Sequence, residues 1–305
     1  MRIVVTGAAG GIGRYLVPDL LAHGHTVVAV DRAAPGTMPA GSGGVGTATA
    51  GQAAPVAPFE QEGATWHLGD SRDEALMARA VAGADALIHL AAIPTPLLGT
   101  PREVFTTNTT ATFVALEAAG QAGLRAVAIA SSISLLGLPY GPDGLAPLYA
   151  PVDEAHPNIG TDAYALSKQV DEAIADMMQR RHGYQAVALR ISATAPMEVH
   201  LARQVAVAAD PTHLANELWA YLDVRDAARA FALSVEREIP GFHVINVMAP
   251  DTYSPLPTAE LMARSHPGTP LRRPLVGRES VFDITRCREL LGFEVQHRLD
   301  FGDAA

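Results

Sequence analysis

A glycine-rich turn near the start of the chain constrains its fold more than any other sequence feature. Gly7, Gly10 and Gly13 follow the apolar run 2–6 directly and precede a helical pattern over 11–24. Glycine permits a tight strand-to-helix turn and lets a pyrophosphate approach the backbone closely. The free N–H groups at the start of the helix also attract phosphate. In this strand–turn–helix context, the spacing predicts a dinucleotide-binding unit.

Short apolar runs alternate with helical patterns beyond this turn. Runs without polar alternation are typical of parallel strands that are covered on both faces. We predict strands at 2–6, 26–31, 64–68, 86–90, 126–130 and 186–190, long helices near 101–122 and 161–183, and capping boxes at Ser71 and Thr100. The alternation predicts an α/β fold with a doubly wound parallel sheet of the Rossmann type.

The expected domain organisation follows from the extent of this alternation of strands and helices. Residues 1–192 would form the dinucleotide-binding Rossmann domain. Residues 193–305 would form mainly a small C-terminal substrate lobe, with some segments returning to the Rossmann domain. Residues 33–58 are rich in Gly, Ala and Pro and carry no charge. This composition predicts a flexible insertion, and it favours an ordinary surface loop over a lid.

Composition excludes several classes of protein. The formal net charge of −10 disfavours nonspecific binding to nucleic acid or to an anionic membrane. The single cysteine, Cys287, fits a reducing cytoplasm. The histidines lack metal-ligand spacing, so we predict no metal. No apolar run is long enough to span a bilayer, and Met1 leads directly into the first strand, so we expect a cytoplasmic protein.

Tyr164 and Lys168 form the candidate catalytic pair. Residues four apart share one face of a helix, so the phenol and the ammonium can point into one site. The ammonium would lower the phenol's pKa from its ordinary value of about 10, which makes tyrosine a usable acid/base. Lys168 is the only lysine of the chain, and arginine would not readily replace it, because its planar fork has a different geometry.

Two further positions lie where strands end. Ser132 follows the fifth predicted strand, at the sheet edge where ligands bind, and could hydrogen-bond a substrate oxygen, with Ser134 as its rival. Asp31 ends the second strand and could accept hydrogen bonds from the adenosine ribose. A carboxylate there repels a 2′-phosphate and favours NAD over NADP, although the neighbouring Arg32 could accommodate that phosphate.

Together these residues resemble the extended short-chain dehydrogenase/reductase family, also called the NAD-dependent epimerase/dehydratase family. The resemblance covers most of the chain. Its marks, in order, are the glycine turn, Asp31, Gly69-Asp70, His89-Leu90-Ala91-Ala92, Asn108, Ser131-Ser132 with Gly137, Tyr164 with Lys168, Leu189-Arg190, and the segments 221–226, 282–285 and 291–293.

The resemblance implies a role for each marked residue. The implied catalytic residues are Ser132, Tyr164 and Lys168. The expected cofactor-binding residues are Gly7, Ala9, Gly10, Gly11, Ile12, Gly13, Asp31, Arg32, Asp70, Ser71, Leu90, Ala91, Ala92, Asn108, Ala130, Tyr164, Lys168 and Ile191. The expected substrate-binding residues are Ile93, Ser132, Ser134, Tyr164, Ser192, His200 and Arg203. His200 and Arg203 could meet an anionic group, although ordinary exposed residues are the simpler interpretation.

Two departures from the family pattern bear on the substrate. Leu136 stands where a tyrosine is frequent, and Ala193 stands where nucleotide-sugar enzymes usually carry an asparagine that contacts the substrate pyrophosphate. The second departure disfavours a nucleotide sugar. We therefore expect hydride transfer between NAD and a hydroxyl or carbonyl of a small sugar, sugar acid or related hydroxy compound, with Tyr164 as acid/base.

Two alternatives to this reaction stay open. One is a nonredox epimerase or dehydratase of a sugar or nucleotide sugar with tightly bound NAD. The other is a non-catalytic dinucleotide sensor, against which the intact Tyr164 and Lys168 argue. The resemblance also implies a homodimer through the helices near 101–122 and 161–183.

Overall fold

The computed structural model describes residues 1–34, 59–61, 63–142 and 144–301. Most of the predicted insertion, residues 35–58, lies outside this described part. The strands of the main sheet are β1 Arg2–Thr6, β2 Thr26–Asp31, β3 Phe59–Gln61, β4 Ala64–Leu68, β5 Ala86–His89, β6 Ala126–Ser132, β7 Gln185–Ile191 and, late in the chain, β10 Phe242–Val247. A separate two-stranded sheet consists of β8 Ala193–Ala195 and β9 Tyr221–Asp223.

The main sheet confirms the predicted fold class. Its strand order is β10-β7-β6-β5-β1-β2-β4-β3, and every neighbouring pair is parallel except β3 with β4. The chain leaves β1 toward β2 on one side and later places β5 on the other side. A doubly wound sheet opens a ligand crevice at such a point, outside the carboxyl ends of the strands.

The helices are α1 Gly13–Ala22, α2 Glu74–Val81, α3 Pro101–Gln121, α4 Ala163–His182, α5 Met197–Ala209, α6 Val224–Glu236, α7 Thr258–Ser265 and α8 Thr285–Leu291. The capping box at Thr100 is confirmed, because its side chain and that of Glu103 each accept from the other's backbone N–H. The capping box at Ser71 is wrong. Asp73 caps α2 instead and accepts from the Leu76 N–H, since residues 70–73 form a turn before the helix.

The buried strand β1 shows why its apolar run lacks alternation. Ile3 belongs to a core cluster with Leu16 of α1 and Phe231 of α6, whereas Val4 belongs to a second cluster with Met77 of α2. Successive side chains of a strand point to opposite faces, so both faces of this sheet are covered. Full burial of one such side chain contributes about 1.5–3 kcal/mol to folding.

The residues after 192 contribute to the main sheet and its core as well as to the smaller sheet of β8 and β9. β10 pairs in parallel with β7, and α6 packs in the core beside β1. A third core cluster, which includes Trp219, Tyr221, Tyr253 and Phe282, supports the smaller sheet of β8 and β9. No helix in the described ranges has the length and apolar character needed to cross a membrane.

Candidate active site

A cavity of about 580 Å³ lies along the carboxyl ends of the parallel strands. It is lined by all the predicted cofactor-binding residues except Asn108, namely Gly7, Ala9, Gly10, Gly11, Ile12, Gly13, Asp31, Arg32, Asp70, Ser71, Leu90, Ala91, Ala92, Ala130, Tyr164, Lys168 and Ile191. It is also lined by all the predicted substrate-binding residues except His200, namely Ile93, Ser132, Ser134, Tyr164, Ser192 and Arg203.

The glycine turn has the geometry of a phosphate cradle. Gly7 has φ of +67°, and a Cβ on it would lie 2.8 Å from the Ala91 backbone nitrogen. A Cβ on Gly13 would lie 2.3 Å from the Gly7 carbonyl oxygen. Gly11 differs, because a Cβ there would meet no described atom within 4 Å and would occupy the cavity itself. The turn is therefore closed on its packed side and open toward a ligand.

The first turn of α1 is free to bind an anion. It has no side-chain cap and no acidic residue in its first turn. The N–H groups of Arg14, Tyr15 and Leu16 are bonded within the turn, whereas those of Gly11, Ile12 and Gly13 have no partner in the described part of the chain. These three N–H groups and the helix dipole therefore favour a phosphate over a protein group. These features and the open side of Gly11 fit the pyrophosphate of a dinucleotide.

Asp31 is held at the end of β2 by the backbone. Its Oδ2 accepts from the Ala9 N–H at 2.9 Å and its Oδ1 accepts from the Ala33 N–H at 3.1 Å. Burial raises the pKa of this carboxyl, and the hydrogen bonds from Ala33 and Ala9 oppose that rise. Each carboxylate oxygen has further lone pairs, so Asp31 can still accept from a ribose hydroxyl.

Asp70 and Ser71 line the cavity after β4. The Arg72 side chain donates to both carboxylate oxygens of Asp70, at 3.0 and 2.7 Å. Burial acts to raise the pKa of Asp70, but the hydrogen bonds and charge of Arg72 outweigh it and hold that pKa below its ordinary value. The Asp70 carboxylate is thus fixed in place at the cavity.

The three predicted catalytic residues meet in the same cavity. The Ser132 hydroxyl donates to the Ser134 hydroxyl at 3.0 Å and accepts from the Ser134 N–H at 3.0 Å. Tyr164 begins the first turn of α4, where Asp162 caps the helix. The Lys168 ammonium lies 5.8 Å from the centre of the Tyr164 ring. Since Ser132 and Tyr164 both face the cavity, a substrate oxygen can contact both hydroxyls.

The groups of the protein together raise the pKa of Tyr164, so the expected lowering is wrong. Burial raises the pKa of this phenol, while the Lys168 ammonium and a hydrogen bond with Ser132 oppose the rise without reversing it. Burial of the phenol is the largest cause of this rise. Lys168 Nζ donates to the Ala130 carbonyl at 2.9 Å and to Asp171 Oδ2 at 3.2 Å. The charge of Asp171 adds a smaller rise to the pKa of Tyr164.

Asp171 is a residue that sequence reasoning missed. It lies one helical turn after Lys168 and is almost completely buried with it. Burial acts to lower the pKa of Lys168, but the charges of Asp171 and Tyr164 outweigh it and raise that pKa. The other carboxylate oxygen of Asp171 has no hydrogen-bond partner in the described part of the chain. The spacing of three residues on one helix was the available signal.

Glu172 connects three elements beneath the predicted catalytic residues. Its Oε1 accepts from the Ser131 hydroxyl at 2.6 Å and from Arg190 Nε at 2.8 Å, and its Oε2 accepts from Arg190 Nη2 at 2.8 Å. All three side chains are buried. The bonds join β6, α4 and β7, and they commit the Ser131 hydroxyl to the buried Glu172. Of the two serines, Ser132 is therefore the better placed to exchange its hydrogen bond with Ser134 for one with a substrate.

Asn108 does not line the cavity, which corrects its assignment as a cofactor-binding residue. It is fully buried, and its Oδ1 accepts from the Ile93 N–H at 2.7 Å. Its Nδ2 donates to the Ile93 carbonyl at 3.1 Å and to the Ser167 hydroxyl at 3.0 Å. The side chain is buried away from the cavity and both of its amide hydrogens are used. It instead fixes Ile93, which does line the cavity.

The assignment of His200 as a substrate-binding residue is also wrong, because His200 does not line the cavity and is fully buried. Its Nε2 bonds the Leu222 carbonyl at 2.9 Å and its Nδ1 bonds the Tyr253 hydroxyl at 2.6 Å. Burial lowers its pKa. Both ring nitrogens are used, so this histidine is structural. Arg203, one turn further along α5, does line the cavity and lies 3.4 Å from Glu217 Oε2.

Further lining residues come from loops that carry no motif. Tyr140 meets Tyr164 edge-on, with the ring centres 6.4 Å apart. Pro196, Val199 and Glu217 line the cavity from the C-terminal lobe. Their only sequence signal was a position after β6 or β7. Within the described residues, no group of three or more His, Cys, Asp or Glu side chains is arranged to hold a metal ion.

Comparisons with known proteins find similarity to sugar epimerases and to a sugar dehydrogenase. The sequence model of the NAD dependent epimerase/dehydratase family matches residues 3–248. A UDP-glucose 4-epimerase from Lacticaseibacillus casei is 29% identical over 194 residues, which are 62% of this chain and 50% of that protein. An L-arabinose 1-dehydrogenase (NAD(P)(+)) from Haloferax volcanii is 29% identical over 195 residues, 62% of this chain and 66% of that protein.

The structural comparison extends further along the chain than these sequence matches. A crystal structure of a UDP-galactose 4-epimerase superposes with a TM-score of 0.64 and 26% identity, over 97% of this chain and 94% of that one. By sequence, the chain spans between half and two thirds of the length of the two curated relatives.

Proposed function

This chain belongs to the NAD-dependent epimerase/dehydratase family, and from that premise we propose that it is an NAD-dependent oxidoreductase. It would transfer a hydride between nicotinamide and a hydroxyl or carbonyl of a small sugar, sugar acid or related hydroxy compound. One observation carries the proposal. Ser132, Tyr164 and Lys168 line the same cavity as the open glycine cradle, so acid/base groups and a dinucleotide site share one space.

The proposed roles follow from the contacts of each residue. NAD, when bound, supplies reversible acceptance of a hydride. The cradle from Gly7 to Gly13 would hold its pyrophosphate, and Asp31 its adenosine ribose. Ser132 would orient the substrate oxygen by a hydrogen bond. Tyr164 would take the proton of the substrate hydroxyl, so that oxidation removes one hydride and one proton and leaves a carbonyl. Lys168 would bind the nicotinamide ribose and favour the phenolate.

A panel of sugars, sugar acids and polyols tests this reaction with NAD and with NADP. We expect reduced nicotinamide to accumulate with at least one panel member, and faster with NAD. The Tyr164→Phe variant should lose about 100- to 10,000-fold in turnover, the usual contribution of a general acid/base, while it binds NAD within a few-fold of the original protein. Near-full activity of Tyr164→Phe would refute the mechanism.

A nonredox epimerase is the second candidate, because both a curated relative and a structural neighbour carry that name. Such an enzyme would convert its sugar without accumulation of reduced nicotinamide. Incubation with UDP-glucose, followed by analysis of the products, distinguishes the two reactions. Ala193, at the position where nucleotide-sugar enzymes usually carry an asparagine, supports the redox reaction over this one.

We also propose a cytoplasmic homodimer that forms through α3 and α4. Phe113 of α3 is 44% exposed and Leu166 of α4 is 49% exposed, so both helices present a large apolar side chain that a second copy would cover. The buried free thiol of Cys287 is compatible with the cytoplasm. Light scattering should show a dimer that Phe113→Asp converts to a monomer, whereas Val276→Asp, which alters an exposed apolar residue outside these helices, should leave it intact. A monomeric original protein would exclude the dimer.

A further inference from the structure

The C-terminal lobe contributes one oppositely charged pair to the cavity. Arg203 lies on α5, and Glu217 lies in a short 3-10 turn between α5 and β9. Arg203 Nη1 is 3.4 Å from Glu217 Oε2, and both residues line the cavity. We propose that this pair binds the hydroxyl groups of an uncharged substrate, so that the substrate is a neutral sugar or polyol rather than a sugar acid or a nucleotide sugar. This inference rests on the proposed function and narrows its substrate class.

The balance of charge around the substrate region supports this assignment. In the described part of the chain, the other charged residues that line the cavity are Arg14, Asp31, Arg32, Asp70 and Lys168. The first four belong to α1 or follow β2 and β4, where the dinucleotide is proposed to bind. Lys168 is paired with Asp171, just as Arg203 is paired with Glu217. An anionic substrate would therefore find no unpaired cation near the catalytic residues.

The pair also has the donors and acceptors that a sugar requires. A guanidinium only donates hydrogen bonds and a carboxylate only accepts them. Neighbouring hydroxyls of a sugar can satisfy both groups, because each hydroxyl donates once and accepts as well. The nearby lining residues Pro139, Pro196 and Val199 offer no side-chain hydrogen bonds. Arg203 and Glu217 are therefore the charged recognition groups of this region, beside the hydroxyls of Tyr140 and Thr194.

The backbone around Glu217 is held in a strained conformation. Leu214, Leu218 and Trp219 have φ values of 61°, 51° and 53°, in the left-handed region that non-glycine residues rarely adopt. Packing maintains it, since Leu218 and Trp219 are buried and the Trp219 indole donates to the Pro211 carbonyl at 2.9 Å. Strain of this kind persists where the surrounding structure imposes it, often at ligand sites. The turn thus fixes Glu217 at the cavity.

Arg203 is positioned from behind by the aromatic cluster of the lobe. Burial raises the pKa of Tyr253, and the guanidinium of Arg203 opposes that rise because it lies beside the phenol. The same phenol bonds the buried His200. Burial likewise raises the pKa of Glu217, and the charge of Arg203 opposes it. Arg203 therefore has a fixed neighbour outside the cavity in Tyr253, whereas Glu217 is held by the turn that carries it.

A comparison of neutral sugars with related anionic sugars tests the proposal. D-galactose, D-glucose, L-arabinose and D-xylose would be compared with D-galacturonate, D-glucuronate and UDP-galactose, each in the presence of NAD. Turnover would be followed by nicotinamide absorbance and binding by saturation-transfer NMR. We expect a neutral sugar to bind more tightly, and to give the higher kcat/KM, than the matching acid or nucleotide sugar.

Substitution of Glu217 should reverse part of this preference. Glu217→Gln leaves Arg203 unpaired, so the kcat/KM ratio of neutral sugar to uronate should fall about tenfold or more, as expected when a hydrogen bond to a charged group is exchanged. Arg203→Gln should weaken neutral-sugar binding without any gain for the uronate. The matched control is Glu260→Gln, which removes one partner of the exposed Glu260–Arg264 pair on α7 outside the cavity, and it should leave the ratio unchanged.

The outcomes separate this inference from the proposed function. Preference of the original protein for a uronate or for UDP-galactose, or binding of no neutral sugar, overturns the inference. An unchanged ratio in Glu217→Gln overturns it too. Neutral-sugar binding by NMR without any reduced nicotinamide would refute the proposed reaction while the inference stands. Reduced nicotinamide formed preferentially from a uronate would support the proposed reaction and overturn the inference.

Discussion

Two ion pairs contribute to the same cavity, and their surroundings differ. The side chains of Lys168 and Asp171 are only 5% and 1% exposed, and both lie on α4. Those of Arg203 and Glu217 are 36% and 23% exposed, and they join a helix to a separate turn. A buried pair is costly to separate, whereas an exposed pair is screened by water and contributes little. The first pair is thus suited to fixed catalytic machinery, and the second to contacts that a ligand can enter.

Removal of one cation from each pair should separate them most clearly. Lys168→Met leaves Asp171 buried and unpaired, so the free energy of unfolding should fall by about 3–5 kcal/mol. Arg203→Met should change it by about 1 kcal/mol or less, because its partner can be hydrated. Urea denaturation monitored by circular dichroism measures both. Equal losses in the two variants would contradict the distinction.

The buried pair should also control the pH dependence of turnover. The Asp171 carboxylate raises the pKa of Tyr164, although less than burial does. Asp171→Asn removes that charge and should lower this pKa, while Glu172 stays in place. Oxidation requires the phenolate, so its rate rises with pH through the Tyr164 pKa, and the rising limb of kcat/KM should move to lower pH.

The control for this shift is Asp176→Asn, which alters an exposed ion pair further along α4. Its pH profile should match that of the original protein. A rising limb that stays in place in Asp171→Asn, or that moves to higher pH, would show that Asp171 does not act on Tyr164.

The smallest effect is expected for the stability of Glu217→Gln. The glutamine keeps the shape of the side chain and removes the charge of a partly exposed pair, so the free energy of unfolding should change by about 0–1 kcal/mol. Glu260→Gln should fall in the same range. A loss well above this from Glu217→Gln alone would mean that the pair holds the strained turn together, and its selectivity test would then depend on Arg203→Gln.

The sequence predicted the cofactor side of the cavity better than the substrate side. Apolar runs such as 26–31 and the glycine turn act locally, through burial on both faces and backbone freedom, so their patterns can be read along the chain. The strand β10 was missed because its sequence, FHVINV, mixes polar residues into the run. The edge strand β3 was missed because it has only three residues.

The substrate side depends on contacts between distant residues. Glu217 reaches Arg203 through a turn whose left-handed residues are leucine and tryptophan, types that give no sign of such a conformation. His200 was assigned to the substrate because it lies in the segment after the sixth predicted strand, but its burial depends on the distant residues Tyr253 and Leu222. Asp171 could have been found from its helical spacing to Lys168 alone. It was missed because the residues that carry the family resemblance do not include a carboxylate at this position.

The Glu172 network makes one side of the cavity, formed by β6, α4 and β7, more rigid than the side formed by α5 and the Glu217 turn. Its charged hydrogen bonds to Ser131 and Arg190 lock β6, α4 and β7 together, so Ser132 and Tyr164 cannot separate without breaking buried contacts. Any accommodation of a differently shaped ligand must then occur at α5 and at the turn that carries Glu217. Changes in this lobe can therefore retune selectivity while the proton-transfer geometry stays the same, which makes it the place to engineer new substrates.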